Sequence, residues 1–331
     1  MDQPSHNVTT TEPPLGRARR TLPAIIERAD VEGIGVAGFV RFWKRQRQQI
    51  DDLLHDHGAV LFSGLEIADV GAFQQMVSEL GLNSMRYVDG NSPRTAISDG
   101  VYTSTEYPAE YFISLHNELS YSARWPARLF FCCLQTAEQG GETPLVDSRE
   151  LLRALPNDLT AEFEARKIRY IRNLHGGNGL GPSWQKAFET IEPVDVERFA
   201  SESGMHVEWR GSNVRLWSVR PATALHPLTR EVVWFNQADQ FHPSTHPEKI
   251  YKTMLALYKE RDDVLPQNAT YGDGAPIPLE HLETIRSVTR KCMHLFPWRR
   301  GDLLMVDNML VAHGRMPFSG PRKIVVAMTS Q

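Results

Sequence analysis

The residues best suited to chemistry are an imidazole and a carboxylate two positions apart, in Phe112-Ile-Ser-Leu-His116-Asn-Glu118-Leu-Ser-Tyr121. The run favours an extended strand, whose alternate side chains share a face, so the pattern predicts His116 and Glu118 on one side and Asn117 on the other. Such a pair can grip one metal ion, but the spacing is cheap. Composition alone makes about one or two His-x-Glu or His-x-Asp pairs, and the sequence has four: His116 with Glu118, His206 with Glu208, His246 with Glu248, and His281 with Glu283. Residues i and i+2 point about 200° apart on a helix; His281 falls in an expected helix and His246 at a proline-led helix start. His206 and Glu208 remain a rival on spacing.

The C-terminal segment separates the two. It reads Asn308-Met-Leu-Val-Ala-His313-Gly-Arg315-Met-Pro-Phe-Ser-Gly-Pro-Arg322, with a histidine expected to end one strand and an arginine expected to begin the next. His313 joined to His116 and Glu118 makes two imidazoles and one carboxylate, a facial set that leaves open positions and suits Fe(II) binding a bidentate co-substrate and then O2. The fork of donors on Arg322 suits a carboxylate at the far end of such an acid. Asp307 and Asn308 are expected to satisfy backbone groups or to support the ligands. The same triad also describes catalytic zinc, so a zinc hydrolase is the rival chemistry, although no helical His-Glu-x-x-His element is present.

These residues need a scaffold of strands. The pattern predicts helices over residues 40–56, 69–80, 149–155 (capped by Ser148), 247–260 and 278–287. Strands are expected over 59–63, 127–134, 145–147, 206–209, 214–219, 231–236, 291–296, 302–306, 309–313 and 322–328, with 127–134 central because it is apolar on both faces. Residues 1–20 read as a flexible leader. Residues 21–331 read as one domain, mainly β with flanking helices (α+β), with a helical and loop insertion over about 156–205 that serves as a lid. The glycines of His175-Gly-Gly-Asn-Gly-Leu-Gly181 lack the strand, Lys-Ser/Thr pair and capped helix of a phosphate loop.

A formal net charge of −4 among 331 residues, with no long basic run, argues against a nucleic-acid partner and for a small-molecule or protein-carried substrate. No apolar stretch approaches the roughly 18 residues of a membrane span, and residues 1–20 have no apolar signal core, so the expected compartment is the cytoplasm. Cys132, Cys133 and Cys292 fit neither a disulfide framework nor a zinc spacing and are expected to be small buried apolar residues.

The His116-Asn-Glu118 pair, the Gly140-Gly-Glu-Thr143 turn, the Trp234-Phe-Asn-Gln237 segment and the Asn308 to Arg322 ending resemble the taurine dioxygenase superfamily. Within it the chain looks most like the syringomycin-pathway hydroxylase and clavaminate synthase branch, where Glu118 is the longer variant of a more common Asp. The resemblance implies a double-stranded β-helix, or jelly roll. It implies Fe(II) held by His116, Glu118 and His313, and 2-oxoglutarate held by Thr143 and Arg322. It also implies consumption of O2 with release of succinate and CO2. The expected reaction is hydroxylation of an unactivated C–H of an amino acid or peptide-derived metabolite in natural-product biosynthesis. Desaturation, epoxidation and cyclisation are its alternatives, whereas halogenation is not expected because Glu118 fills the position a halide needs. Candidate substrate contacts are Arg315, Arg220 and Thr105, the last within the polar stretch 102–110.

Overall fold

Residues 59–63, 128–135, 303–307 and 323–329 are apolar on both faces, and strands of that kind need cover on both sides. The computed structural model describes residues 21–27, 35–85, 96–98, 100–103, 107–258 and 264–330. In chain order, β1 (Ala24–Glu27) and α1 (Gly35–His57) precede β2 (Ala59–Ser63), α2 (Val70–Glu79), β3 (Ala96–Ser98), β4 (Val101–Thr103) and β5 (Ile113–His116). Then come β6 (Arg128–Gln135), β7 (Gln139–Gly140), β8 (Leu145–Asp147), α3 (Ser148–Ala154) and α4 (Asn157–Arg166). The middle forms β9 (Ile168–Leu174), α5 (Trp184–Phe188), α6 (Pro193–Glu202), β10 (His206–Arg210), β11 (Asn213–Arg220), β12 (Thr223–Leu225) and β13 (Val232–Trp234). The remainder is α7 (Ala238–Phe241), α8 (Glu248–Leu257), β14 (Gln267–Tyr271), α9 (Leu279–Cys292), β15 (Leu303–Asp307), β16 (Val311–Arg315), β17 (Phe318–Ser319) and β18 (Lys323–Thr329).

The result is a mixed α+β architecture. A seven-stranded sheet runs β1-β2-β15-β6-β18-β4-β3, with β6 in its centre. Strand alternation sends Phe130, Cys132 and Leu134 to the face covered by α1 and α2, where Phe39, Trp43, Ile50, Leu54, Phe73 and Met76 are buried. Leu129, Phe131 and Cys133 point the other way, onto Leu145, Val233, Phe235 and Val311 from the small sheets opposite. Those are the three-stranded sheet β5-β16-β8 and the pair β12-β13. A third cluster backs the small sheet with Val146, Leu151, Phe163, Tyr170, Phe241 and Leu282. Helix α1 stops at Gly58, whose φ of 77° and approach to Val311 (an added Cβ would lie 2.4 Å from Cγ2) both demand glycine.

Several expectations need correction. Asp147, rather than Ser148, caps α3, its Oδ1 accepting from the Arg149 and Glu150 amides at 2.8 and 3.3 Å. Residues 291–296 are no strand: α9 continues to Cys292, and beyond it His294 makes only a bridge to Leu145. The insertion is not confined to helices and loop over 156–205. It contains a four-stranded antiparallel sheet, β10-β11-β9-β14, that draws on residues as far as 271, with its own small core around Trp184, Val196 and Leu216. Ile168, Ile171 and Leu174 recur every three residues, so their spacing imitates a helix although the backbone is extended.

Candidate metal centre and co-substrate pocket

Antiparallel pairing of β5 with β16 sets His116 directly opposite His313. Side chains so opposed on one face lie close enough to touch, and the two imidazole centroids are 4.6 Å apart. His313 is therefore a mid-strand residue, not the strand end expected from sequence. Glu118 also arrives differently from expectation. β5 stops at His116, and Glu118 opens a turn in which Leu119 takes a φ of 56°. The carboxylate is thus brought round by a turn rather than by strand alternation.

That turn is clamped by Asn308, which is fully buried. The Glu118 amide donates to Asn308 Oδ1 at 2.6 Å, and Asn308 Nδ2 donates back to the Glu118 carbonyl and to the Pro126 carbonyl, each at 2.9 Å. Asn117, facing away, donates to the Asn308 carbonyl at 2.7 Å. Asp307 supports the same corner: its Oδ1 accepts from the Met309 and Leu310 amides, and its Oδ2 lies 3.1 Å from Nε2 of the buried His226.

Donor atoms of His116, Glu118 and His313 all lie within 4.8 Å of one another, and all three side chains are buried. His313 Nε2 stands 3.9 Å from Glu118 Oε2, too far for a hydrogen bond yet short enough for one ion with bonds of about 2.1 Å to touch both. His116 Nδ1 lies 2.8 Å from the Ser114 carbonyl, an acceptor only, which makes Nδ1 the protonated nitrogen and Nε2 the one able to ligate. Two imidazoles and a carboxylate, buried together, fit a first-row metal.

The other three pairs do different work. His206 stacks on Trp217 at 4.9 Å while Glu208 pairs with Arg210 at 2.9 Å. Glu248 pairs with Lys252 at 2.6 Å, and His281 Nδ1 meets the Tyr271 hydroxyl at 2.9 Å. Among the described residues, His116, Glu118 and His313 form the one three-member cluster with metal-ligand spacing.

Residues 139–145, which hold the co-substrate candidate Thr143, run along the His313 strand. Leu145 pairs with His313, and Pro144 accepts from the Gly314 amide at 3.1 Å. Thr143 is buried, with its hydroxyl accepting from Trp298 Nε1 at 3.1 Å. Arg322, just ahead of β18, donates from Nε to the Gly141 carbonyl at 2.9 Å. A Cβ on Gly141 would press on the Arg322 side chain at 3.0 Å, so glycine gives the guanidinium its room. Desolvation, and then the neighbouring Arg315, push the Arg322 guanidinium down to about 10, which leaves it cationic at neutral pH. Burial pushes the Cys133 thiol up to about 12, consistent with a buried apolar role for that residue.

The candidate substrate residues are dispersed. Arg315 is buried and donates to three carbonyls, those of Tyr107, Pro108 and Tyr111, at 2.6 to 3.0 Å. Its guanidinium and that of Arg322 flank the Phe318 ring, at 5.0 and 5.5 Å from its centroid. This is the geometry of a loop anchor. Arg220 ties β11 to the end of α6 through the Ser203 carbonyl at 2.5 Å. Thr105 lies outside the described residues. Nearby, a cavity of about 710 Å³ runs between the Leu119–Trp125 loop and α6, lined in part by Arg124, Trp125, Phe199 and Glu202. Trp298 and Gln240, both drawn into the site, carried no motif by which sequence alone could have singled them out.

A sequence profile of the family described as taurine catabolism dioxygenase TauD, TfdA family matches residues 20–328. The dapdiamide synthesis protein DdaC of Enterobacter agglomerans is 39% identical over 280 residues, 84% of each chain. A clavaminate synthase-like protein of Arabidopsis thaliana is 29% identical over 326 residues, covering 93% of this chain and 94% of that one. Among solved structures, PvcB, described as an Fe, alpha-ketoglutarate dependent oxygenase from an isonitrile synthetic pathway, superposes with a TM-score of 0.51 at 15% identity. The match covers 93% of this chain and 85% of PvcB.

Proposed function

The chain belongs to the TauD, TfdA family and is a non-haem Fe(II)- and 2-oxoglutarate-dependent dioxygenase, and from that premise we propose that it hydroxylates an unactivated C–H of an amino acid or peptide-derived metabolite in natural-product biosynthesis. The observation that carries the site assignment is the buried convergence of His116, Glu118 and His313 beside the segment holding Thr143 and Arg322. His116, Glu118 and His313 hold the metal. The guanidinium of Arg322 receives the distal carboxylate of 2-oxoglutarate, with the Thr143 hydroxyl as its companion. When bound, iron and 2-oxoglutarate supply the oxidising equivalent from O2, with succinate and CO2 as co-products.

The protein's own part is placement. Two ligands on paired strands and a third on a clamped turn give the metal a rigid seat, and the buried walls of Phe131 and Leu145 exclude water from it. Arg315 pins the 107–111 turn from a position two residues beyond His313, so loop order and the ligand strand are mechanically joined. The substrate enters the cavity beside Leu119, where Arg124 and Glu202 offer charges of both signs suited to a zwitterion, free or carried on a protein. The name of DdaC, a dapdiamide synthesis protein, supports an amino-acid-derived substrate. We read the two facing sheets as the two halves of a double-stranded β-helix, and residues 21–331 as one oxygenase domain.

The test is anaerobic addition of Fe(II) and 2-oxoglutarate, followed by the visible charge-transfer absorption of the chelate. The native protein develops the band, His313→Ala does not, and Arg322→Ala develops it only at co-substrate concentrations higher by about 10- to 100-fold, the worth of a charge-assisted contact. A band that survives His313→Ala intact refutes the ligand assignment. Mass-shift screening against amino acids and short peptides then tests the substrate class.

A further inference from the structure

The metal-binding nitrogen of His116 is chosen at the opposite side of its ring. Nδ1 lies 2.8 Å from the Ser114 carbonyl and also 3.2 Å from Nε2 of Gln240, on the short helix α7. These two contacts ask for opposite things. The carbonyl accepts only, so it requires a proton on Nδ1, whereas an amide NH2 facing the same nitrogen requires a lone pair there. The conflict disappears if the amide turns over and presents Oε1, an exchange of near-isosteric ends. Nδ1–H is then shared between two acceptors, and Nε2 keeps the lone pair that a metal needs.

We propose that Gln240 is a positioning residue that, together with the Ser114 carbonyl, holds the metal-competent tautomer and ring orientation of His116. Its own placement is secured from the insertion. The Gln240 carbonyl accepts from Gln267 Nε2 of β14 at 3.3 Å, and the Gln237 amide of the same helix donates to the Tyr170 hydroxyl of β9 at 2.9 Å. The Asn236 side chain accepts from the Ala238 amide at 3.1 Å. The four-stranded insertion sheet thereby reaches the metal seat through one side chain. Gln240 itself borders a cavity of about 150 Å³, lined also by Ser114, Asn117, Thr245 and Arg286, so its amide has room to turn.

The inference rests on His116 being a metal ligand, and the experiment separates failure of the one from failure of the other. Histidine-selective 15N NMR on the metal-free protein reports the tautomer of each imidazole, and anaerobic Co(II) titration reports affinity. In the native protein His116 is the Nδ1–H tautomer. Gln240→Met, of equal length but without an acceptor, shifts the His116 resonances towards a mixture and weakens Co(II) binding about 10- to 100-fold. Gln240→Glu, an acceptor only, restores the Nδ1–H signature and brings affinity back to within about threefold of native. Thermal unfolding confirms that each variant is folded, and Gln240→Glu by itself remains informative if Gln240→Met is not. Native tautomer and native affinity in Gln240→Met, or loss of both in a folded Gln240→Glu, overturn the proposal. Unchanged Co(II) binding in His116→Ala overturns instead the ligand assignment on which it stands.

Discussion

Asn308 offers the sharpest test of how Glu118 is held. Its side chain makes three hydrogen bonds in a fully buried corner: it accepts from the Glu118 amide at 2.6 Å and donates to the carbonyls of Glu118 and Pro126 at 2.9 Å. Asn308→Ala removes all three and strands their buried partners. At about 1 kcal/mol net per bond, rising where a partner is left unsatisfied, the expected loss is about 3–5 kcal/mol. For a chain of this size that lowers the midpoint of thermal unfolding by roughly 4–7 °C. Asn308→Asp discriminates further, because it keeps the acceptor for the Glu118 amide but sets a carboxylate oxygen against two carbonyls. It should therefore destabilise at least as much as alanine despite its matching shape. Urea and thermal unfolding of the metal-free protein give the stabilities, and Co(II) titration reports whether Glu118 has left its place. A loss below about 1 kcal/mol with native metal affinity, or an aspartate variant as stable as the native protein, would refute the clamp.

Three further outcomes are expected. Gly314→Ala places a Cβ 2.5 Å from the Ile113 carbonyl, between the two ligand strands, so metal affinity should collapse; native affinity in Co(II) titration would contradict the tight β5–β16 pairing. Burial, with Arg286 beside it, depresses the buried His242 to about 4 from 6.5. The unfolded chain then binds more protons between those values, and the stability from keeping this ring neutral, full above pH 6.5, falls by about 3 kcal/mol as pH drops through 4. Urea midpoints of His242→Asn should show a shallower acid slope, and an unchanged slope rules the residue out as its source. Arg315→Lys cannot reach three carbonyls at once, so limited proteolysis near residues 107–111 should quicken while the iron and 2-oxoglutarate absorption stays native; equal cleavage rates would remove the anchoring role.

Much of this protein is local and therefore legible in its sequence. Helical spacing of Phe73, Met76, Val77 and Leu80 places α2, the doubly apolar run around Phe131 places the central strand, and the types and order of His116, Glu118, His313 and Arg322 carry the proposed chemistry. Where the site departs from that expectation, the cause is always a partner distant in the chain. The bend that delivers Glu118 is held by Asn308, 190 positions away. Arg315, by its type an anion binder, is occupied by carbonyls more than 200 positions earlier. Ile168, Ile171 and Leu174 look helical until β11 and β14 claim them as a strand between two neighbours. Residue type and short-range periodicity belong to the sequence. Which of four His-x-Glu pairs meets a third candidate ligand was decided by the pairing register of β5 and β16, because a slip of one residue there would turn His116 and His313 to opposite faces.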